Sequence, residues 1–201
     1  MIDIQALSKK FGVNAECGEG ENFPVFLDRM KEKRVLVITD EHTMSLSAPI
    51  VRALAKNGNT VKRCHLAEEE PVADEKTVQA VYRACADCDY LLAVGAGTLN
   101  DVAKYAGFLA GKPSGIYATA PSMDGFTSGV TPLIENGFKI TRNAQVASDV
   151  LMDMGVLSAA PRIMLGAGVG DILAKYCCLT DWKISYPHGR SVRRGGGEPH
   201  V

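Results

Sequence analysis

This chain has little excess charge of either sign. Lysine and arginine number 22, aspartate and glutamate 23, for a formal net charge of −1. That balance argues against nucleic acid or an acidic membrane surface as a partner. Long apolar runs are lacking too: none approaches the ~18 uninterrupted residues of a membrane span. The opening MIDIQALSKKFG mixes charges early and has no signal-peptide core. The expectation is a cytoplasmic protein without a membrane span. No internal repeat and no low-complexity linker break the text. The remaining composition, 46% hydrophobic and 22% charged, is that of a globular protein. A length of 201 residues suits one domain, or one and a fraction, with a sizeable core.

The six cysteines, Cys17, Cys64, Cys85, Cys88, Cys177 and Cys178, are expected to be reduced in a cytoplasmic chain. Cys85 and Cys88 form a C-x-x-C at the end of a helical pattern, with no second pair to complete a zinc site. They read as small, partly buried residues rather than a redox or metal motif. Cys177 and Cys178 are adjacent within a helical pattern, where neighbours diverge by roughly 100°, a poor chelate.

The patterning predicts strands at 34–39, 60–66, 89–95 and 114–120, separated by helices near 44–57, 74–86 and 99–109. Asn57-Gly58, and Gly111 with Pro113, close the first and last of these helices. Such β-α alternation with short links predicts a parallel sheet covered by helices on both faces. Asn136-Gly137 between apolar residues signals a hairpin. A further strand follows at 147–153, and from about Pro161 one long apolar helix runs to Tyr186.

Three features carry chemistry. The strand LLAVG breaks into Gly95-Ala96-Gly97 and then enters a helix. Glycines permit close approach, and a helix N-terminus offers free N–H groups to a phosphate; Thr98 and Asn100 add donors. The spacing is not the dinucleotide fingerprint, because a third glycine is absent at its expected place. The next strand ends in YATAPSMDGFTSG, which carries Thr119, Ser122, Thr127, Ser128 and Asp124, a loop able to cradle a long polar ligand. Asp171 sits inside the apolar stretch LGAGVGDILAKY and needs a partner if buried; Lys175 lies four residues on.

VITDEHT, GAGTLND, TAPSMDG and AGVGDILAKY, in this order, resemble the sn-glycerol-1-phosphate dehydrogenase family, within the superfamily of dehydroquinate synthase, glycerol dehydrogenase and iron-containing alcohol dehydrogenases. The resemblance spans about residues 30–186, and TAPSMDG is its discriminating piece. It implies NAD(P)H-dependent reduction of dihydroxyacetone phosphate, a phosphorylated small molecule, to sn-glycerol 1-phosphate for phospholipid synthesis. By motif, Gly95, Gly97, Thr98, Leu99, Asn100 and Asp101 would meet the cofactor's diphosphate, as would Thr119, Ala120, Pro121 and Ser122. Ser128 would also touch the cofactor, and Asp40 its adenosine half. Asp124 would contact substrate. Asp171 would bind substrate and a divalent metal, zinc or nickel. A metal in such a site polarises the ketone. Lys139 and Arg142 are candidates for the substrate phosphate on charge alone. The family leaves room for a homo-oligomer.

The same resemblance implies an N-terminal NAD(P)-binding domain over 1–153, then only the first helix, 154–186, of an all-helical second domain. The family's metal takes one aspartate and a pair of downstream histidines. Beyond Asp171 this chain offers His188 and His200, neither in a helical frame. The closing PHGRSVRRGGGEPHV has no periodicity. Read one base out of frame, its codons permit Leu-Met-Gly-Glu-Val-Tyr, an amphipathic continuation. The expectation is a frameshift near codon 187, an aberrant tail over 187–201 and little or no activity. Exposure of Ile163, Leu165, Ile172, Leu173 and Trp182 on the unpartnered helix would follow. A dehydroquinate-synthase-like sugar-phosphate cyclase, and a non-catalytic nucleotide-binding module completed by a partner chain, are the alternative readings.

Overall fold

RVLVITD and YLLAVG lie side by side at the centre of a parallel sheet, buried on both faces. A computed structural model describes residues 12–185. Its strands are β1 (Asn14–Gly18), β2 (Arg34–Asp40), β3 (Thr60–Leu66), β4 (Tyr90–Gly95), β5 (Ser114–Ala118), β6 (Val130–Glu135), β7 (Phe138–Asn143) and β8 (Asp149–Asp153). The helices are α1 (Pro24–Met30), α2 (Ala48–Lys56), α3 (Glu75–Ala84), α4 (Gly97–Ala110), α5 (Met154–Ser158) and α6 (Arg162–Ser185).

Six strands form one parallel sheet in the order β1-β8-β5-β4-β2-β3. Side chains alternate along it with period two. Leu36, Ile38, Leu91 and Ala93 point into one core with Val78, Val81, Leu99 and Val102 from α3 and α4. Val35, Val37, Leu92 and Val94 point into the other with Phe26, Met30, Ile50 and Leu54 from α1 and α2. Burial on both faces explains why these strands read as continuous apolar runs rather than alternating ones. The predicted fold class is therefore what forms.

From β2 the chain steps to β3 on one side, then returns to lay β4 against the opposite edge of β2. The direction of winding reverses between β2 and β4. Ligands of open α/β sheets bind beyond the carboxyl ends of the strands at such a reversal. Asp40 and Gly95 stand at those two ends.

Several local signals act as read. Gly111 closes α4 at φ 63, a left-handed cap. Asn136 (φ 50) and Gly137 (φ 80) form a two-residue turn that pairs Glu135 with Phe138. Two elements have no counterpart in the sequence reading: edge strand β1 and helix α1. NAECG is short and half-polar, and its place beside β8 is set by distant contacts. Asp149, fully buried, accepts from the Tyr90 hydroxyl at 2.6 Å, Ser148 Oγ at 2.8 Å, the Arg29 guanidinium at 2.5 Å and Asn14 Nδ2 at 3.0 Å. That carboxylate ties β1, α1, β4 and β8 together.

By length and composition alone helix α6 is apolar enough to cross a membrane, although Asp171 and Lys175 interrupt its apolar run. Ile163, Ile172, Leu173 and Trp182 are exposed as anticipated, along with Val169, Tyr176, Leu179 and Ile184; Leu165 is half-buried. Only Gly168 of this helix is buried. The tail over 187–201, with His188 and His200, lies outside the described residues.

Candidate nucleotide-binding site

Strand β4 delivers Gly95 to the sheet's carboxyl edge, and α4 begins at Gly97 with Ala96 as its N-cap. Ala96 has no side chain to cap the helix, so the first turn's N–H groups keep no side-chain partner. The Asn100 N–H closes the first helical bond, to the Ala96 carbonyl at 3.0 Å. One strand over, β5 ends at Ala118, paired with Gly95. The Thr119 N–H then donates to the Gly95 carbonyl at 2.9 Å, which joins the two strand ends. Residues 95–101 and 119–124 thus stand together on one edge of the sheet. Gly97 faces Met123: a Cβ there would lie 3.6 Å from its sulfur, an ordinary contact. A Cβ at Gly95 would instead sit 2.5 Å from Leu99 Cδ1. Gly95 and buried Leu99 are therefore packing partners, whereas the space beside Gly97 is open.

Asn100 is 1% exposed, and its Nδ2 has no hydrogen-bond partner. A buried unpaired amide costs about 1–3 kcal/mol, which a ligand oxygen would recover. An uncapped helix terminus, an open glycine and an orphaned amide at the winding reversal fit the diphosphate of a dinucleotide.

Thr119 and Ala120 are buried, Pro121 exposed and Ser122 half-buried. Ser128 Oγ accepts the Val130 N–H at 3.2 Å. Asp40 Oδ1 accepts both the N–H and the hydroxyl of Thr43, each at 2.8 Å, so VITDEHT folds as a capped turn at the end of β2. Asp101 is half-buried, and burial pushes its carboxyl pKa up.

Lys104 escaped the sequence reading. It is 1% exposed, and its Nζ donates to the carbonyls of Val130 at 3.0 Å and Gly125 at 3.4 Å, with Asp101 4.0 Å away. Burial depresses its pKa; Asp101 opposes the shift. The signal was present: a lysine among Ala103, Ala106 and Gly107 on the apolar side of α4. It anchors the segment that leads from the 119–128 loop into the hairpin.

Asp171 is not buried as the apolar stretch suggested; it is half-exposed at the edge of α6. Its Oδ2 accepts the backbone N–H of Asp124 at 2.8 Å, which is the main reason its pKa lies below the usual carboxylate value. Lys175 does not pair first with Asp171. Its Nζ lies 2.9 Å from Asp124 Oδ2, and that contact raises its pKa. Asp124, Asp171 and Lys175 therefore meet beside the 119–124 loop. Arg142, by contrast, is held bidentately by Glu135 at 2.8 and 2.5 Å within its own hairpin, which removes it as a free phosphate ligand. Lys139 is exposed on β7, near enough to Asp101 to favour its ionised form.

Among the described residues, no group of three His, Cys, Asp or Glu side chains could hold a metal. Asp171 supplies one carboxylate, and zinc centres need three or four protein ligands. The described residues do not make a metal centre. The thiols of Cys64, Cys85 and Cys88 are pushed up in pKa by burial, in keeping with packing.

Fold and site together define a doubly wound α/β domain that presents an uncapped helix terminus at its winding reversal. Its lineage is specific. The profile of the family described as iron-containing alcohol dehydrogenase matches residues 15–161, and the chain belongs to that family. It is 38% identical to a glycerol-1-phosphate dehydrogenase [NAD(P)+] of Halalkalibacterium halodurans, over 81% of this chain and 42% of that protein. It is 34% identical to the like-named protein of Bacillus velezensis, over 98% of this chain and 48% of that one. The chain thus spans about half the length of the curated relatives it matches. In fold it is similar to glycerol dehydrogenase from Schizosaccharomyces pombe, with a TM-score of 0.73 at 23% identity over 82% of this chain and 43% of that one. It is also similar to a 2-epi-5-epi-valiolone synthase from Streptomyces hygroscopicus with NAD+ and Zn2+ bound, with a TM-score of 0.66 at 20% identity over 78% of this chain and 47% of that one.

Proposed function

We propose that this chain forms the dinucleotide-binding part of an NAD(P)-dependent glycerol-1-phosphate dehydrogenase acting on dihydroxyacetone phosphate. The observation that carries this reading is the juxtaposition of the uncapped α4 terminus, the orphaned Asn100 amide and the 119–122 loop at the β2/β4 reversal. The names of the relatives supply the reaction.

In this proposal Gly95, Gly97, Thr98, Leu99, Asn100 and Asp101 line the diphosphate from one side, and Thr119, Ala120, Pro121 and Ser122 from the other. Ser128 reaches the cofactor from beyond the loop, and Asp40 faces the adenosine half. When bound, the nicotinamide supplies the hydride. The chain's own work is to hold and orient: the helix terminus balances the diphosphate charge, and Asp124 meets the substrate. Residues 1–153 are the nucleotide-binding unit, and α6 opens the second region. A zinc or nickel ion belongs to the reading by resemblance alone, and Asp171 is its candidate ligand here. With one carboxylate on offer, these residues bind a dinucleotide without fast turnover. The cytoplasm is the compartment this function implies.

The test is titration of the 201-residue chain with NADH, followed by nicotinamide fluorescence. Saturable binding displaced by NAD+ is expected, and no binding would remove the proposal. With dihydroxyacetone phosphate added, net NADH oxidation should stay well below the ~1 per second of ordinary enzymes. Consumption of a sugar phosphate with no net change in NADH would favour a cyclase instead.

A further inference from the structure

Helix α6 touches the cradle loop at three points, spaced along one side of the helix. At Gly168 the helix backbone lies against the loop so closely that a Cβ would overlap the Pro121 carbonyl group, with the Ser122 backbone in ordinary contact beyond it. About one turn on, Asp171 Oδ2 takes the Asp124 N–H at 2.8 Å. A further turn on, Lys175 Nζ reaches Asp124 Oδ2 at 2.9 Å. Spacings of three and four residues keep all three on one face. The rest of α6 is largely exposed. Gly166 and Gly170 have open space where a Cβ would go, so tight approach is confined to Gly168.

We propose that Gly168 and Lys175 are positioning residues: with Asp171 they clamp the 121–124 segment and so fix the shape of the dinucleotide cradle. Neither residue is among those placed against the ligand. This rests on the dinucleotide reading for its consequence, though the clamp itself does not. The loop can approach the helix only because residue 168 has no side chain. The Asp124 backbone would otherwise belong to an exposed connection between β5 and β6, free to sample conformations in which the loop leaves Gly97. The ion pair of Lys175 and Asp124 is half-exposed and adds little to global stability. Its effect is to orient the loop.

The variants are Gly168→Ala and Lys175→Met, with Lys175→Arg as rescue and Gly166→Ala and Gly170→Ala as controls. Alanine favours helix over glycine, so a defect in Gly168→Ala cannot come from loss of helix. Two readouts are taken on the full chain: amide hydrogen exchange over 119–128 without ligand, and NADH affinity. Faster exchange at 121–124 and a roughly tenfold or greater loss of NADH affinity are expected for Gly168→Ala and Lys175→Met, the usual penalty for a misplaced binding group. Circular dichroism should stay at the parental value in both variants, and melting temperature should hold for Lys175→Met while falling in Gly168→Ala only by what displacing the loop from the helix costs. Lys175→Arg and both control alanines should behave as the parent. Unchanged exchange in Gly168→Ala and Lys175→Met would overturn the clamp, whatever NADH does. Altered exchange with unaltered NADH affinity would overturn the positioning role. If the parent binds no NADH while exchange responds as described, the clamp stands and the dinucleotide reading falls.

Discussion

The backbone N–H of Thr119 donates to the carbonyl of Gly95 at 2.9 Å, which ties the first residue beyond β5 to the last residue of β4. The two candidate phosphate segments are therefore joined at their bases, and the glycines of the first can be told apart. A methyl at Gly97 meets only the Met123 sulfur at 3.6 Å, whereas one at Gly95 runs into Leu99. Gly95→Ala should lower stability by about 1–3 kcal/mol through overpacking. Gly97→Ala should leave the urea midpoint nearly unchanged yet weaken NADH binding, because its methyl occupies the space a phosphate needs. Equal effects of both substitutions on stability would contradict the assignment.

Asn100 gives a second separation. Its amide is buried without a partner, so truncation removes an unsatisfied donor along with a few packing contacts. Asn100→Ala should change stability by less than about 1 kcal/mol. Its NADH affinity should fall roughly tenfold or more, since a hydrogen bond to a charged group is worth about 1.5–3 kcal/mol. Calorimetric titration beside chemical denaturation decides it: a large stability loss with unchanged affinity would make Asn100 a structural residue.

The central strands and their helices were legible because each carried a complete local signal. RVLVIT and YLLAVG are apolar on both faces, Gly111 and Asn57-Gly58 mark helix ends, and Asn136-Gly137 requires positive φ. Edge strand β1 was not legible, since what holds NAECG is Asp149, far along the chain. The pairing of Lys175 with Asp124 was hidden for the same reason. From sequence, Asp171 was the obvious partner four residues away, and only the approach of the loop at Gly168 brings Asp124 closer. Lys104 could have been found by asking what a lysine does on the apolar side of a helix.

The Tyr90 hydroxyl is buried and donates to Asp149 at 2.6 Å. Burial, then the neighbouring carboxylate, pushes its pKa well above the usual value, so the donor stays protonated. Tyr90→Phe should cost about 1–3 kcal/mol, because Asp149 keeps Arg29, Ser148 and Asn14 but loses its shortest hydroxyl donor. The contact sits at the end of the sheet opposite the cradle, so NADH affinity should hold while the urea midpoint falls. A parallel loss of affinity would mean that the two ends of the sheet are coupled.

Lys104 makes the stability depend on alkaline pH in a direction that can be stated in advance. Burial lowers its pKa in the folded chain, while in the unfolded chain it titrates near the ordinary 10.5. Between those two values the unfolded chain holds more protons than the folded one, so this residue makes stability rise with pH across that window. Below the folded pKa both states are protonated, and the cost of burying the charge is fully present and constant. Lys104→Met removes the titration, and with it the hydrogen bonds to Val130 and Gly125. The stability difference between parent and variant should therefore shift in favour of the parent as alkaline pH climbs towards 10.5, by up to about 1.4 kcal/mol for each unit of pH inside the window. Urea denaturation at a series of pH values measures it. A difference that stays flat across that range would show that Lys104 keeps its ordinary affinity for the proton despite its burial.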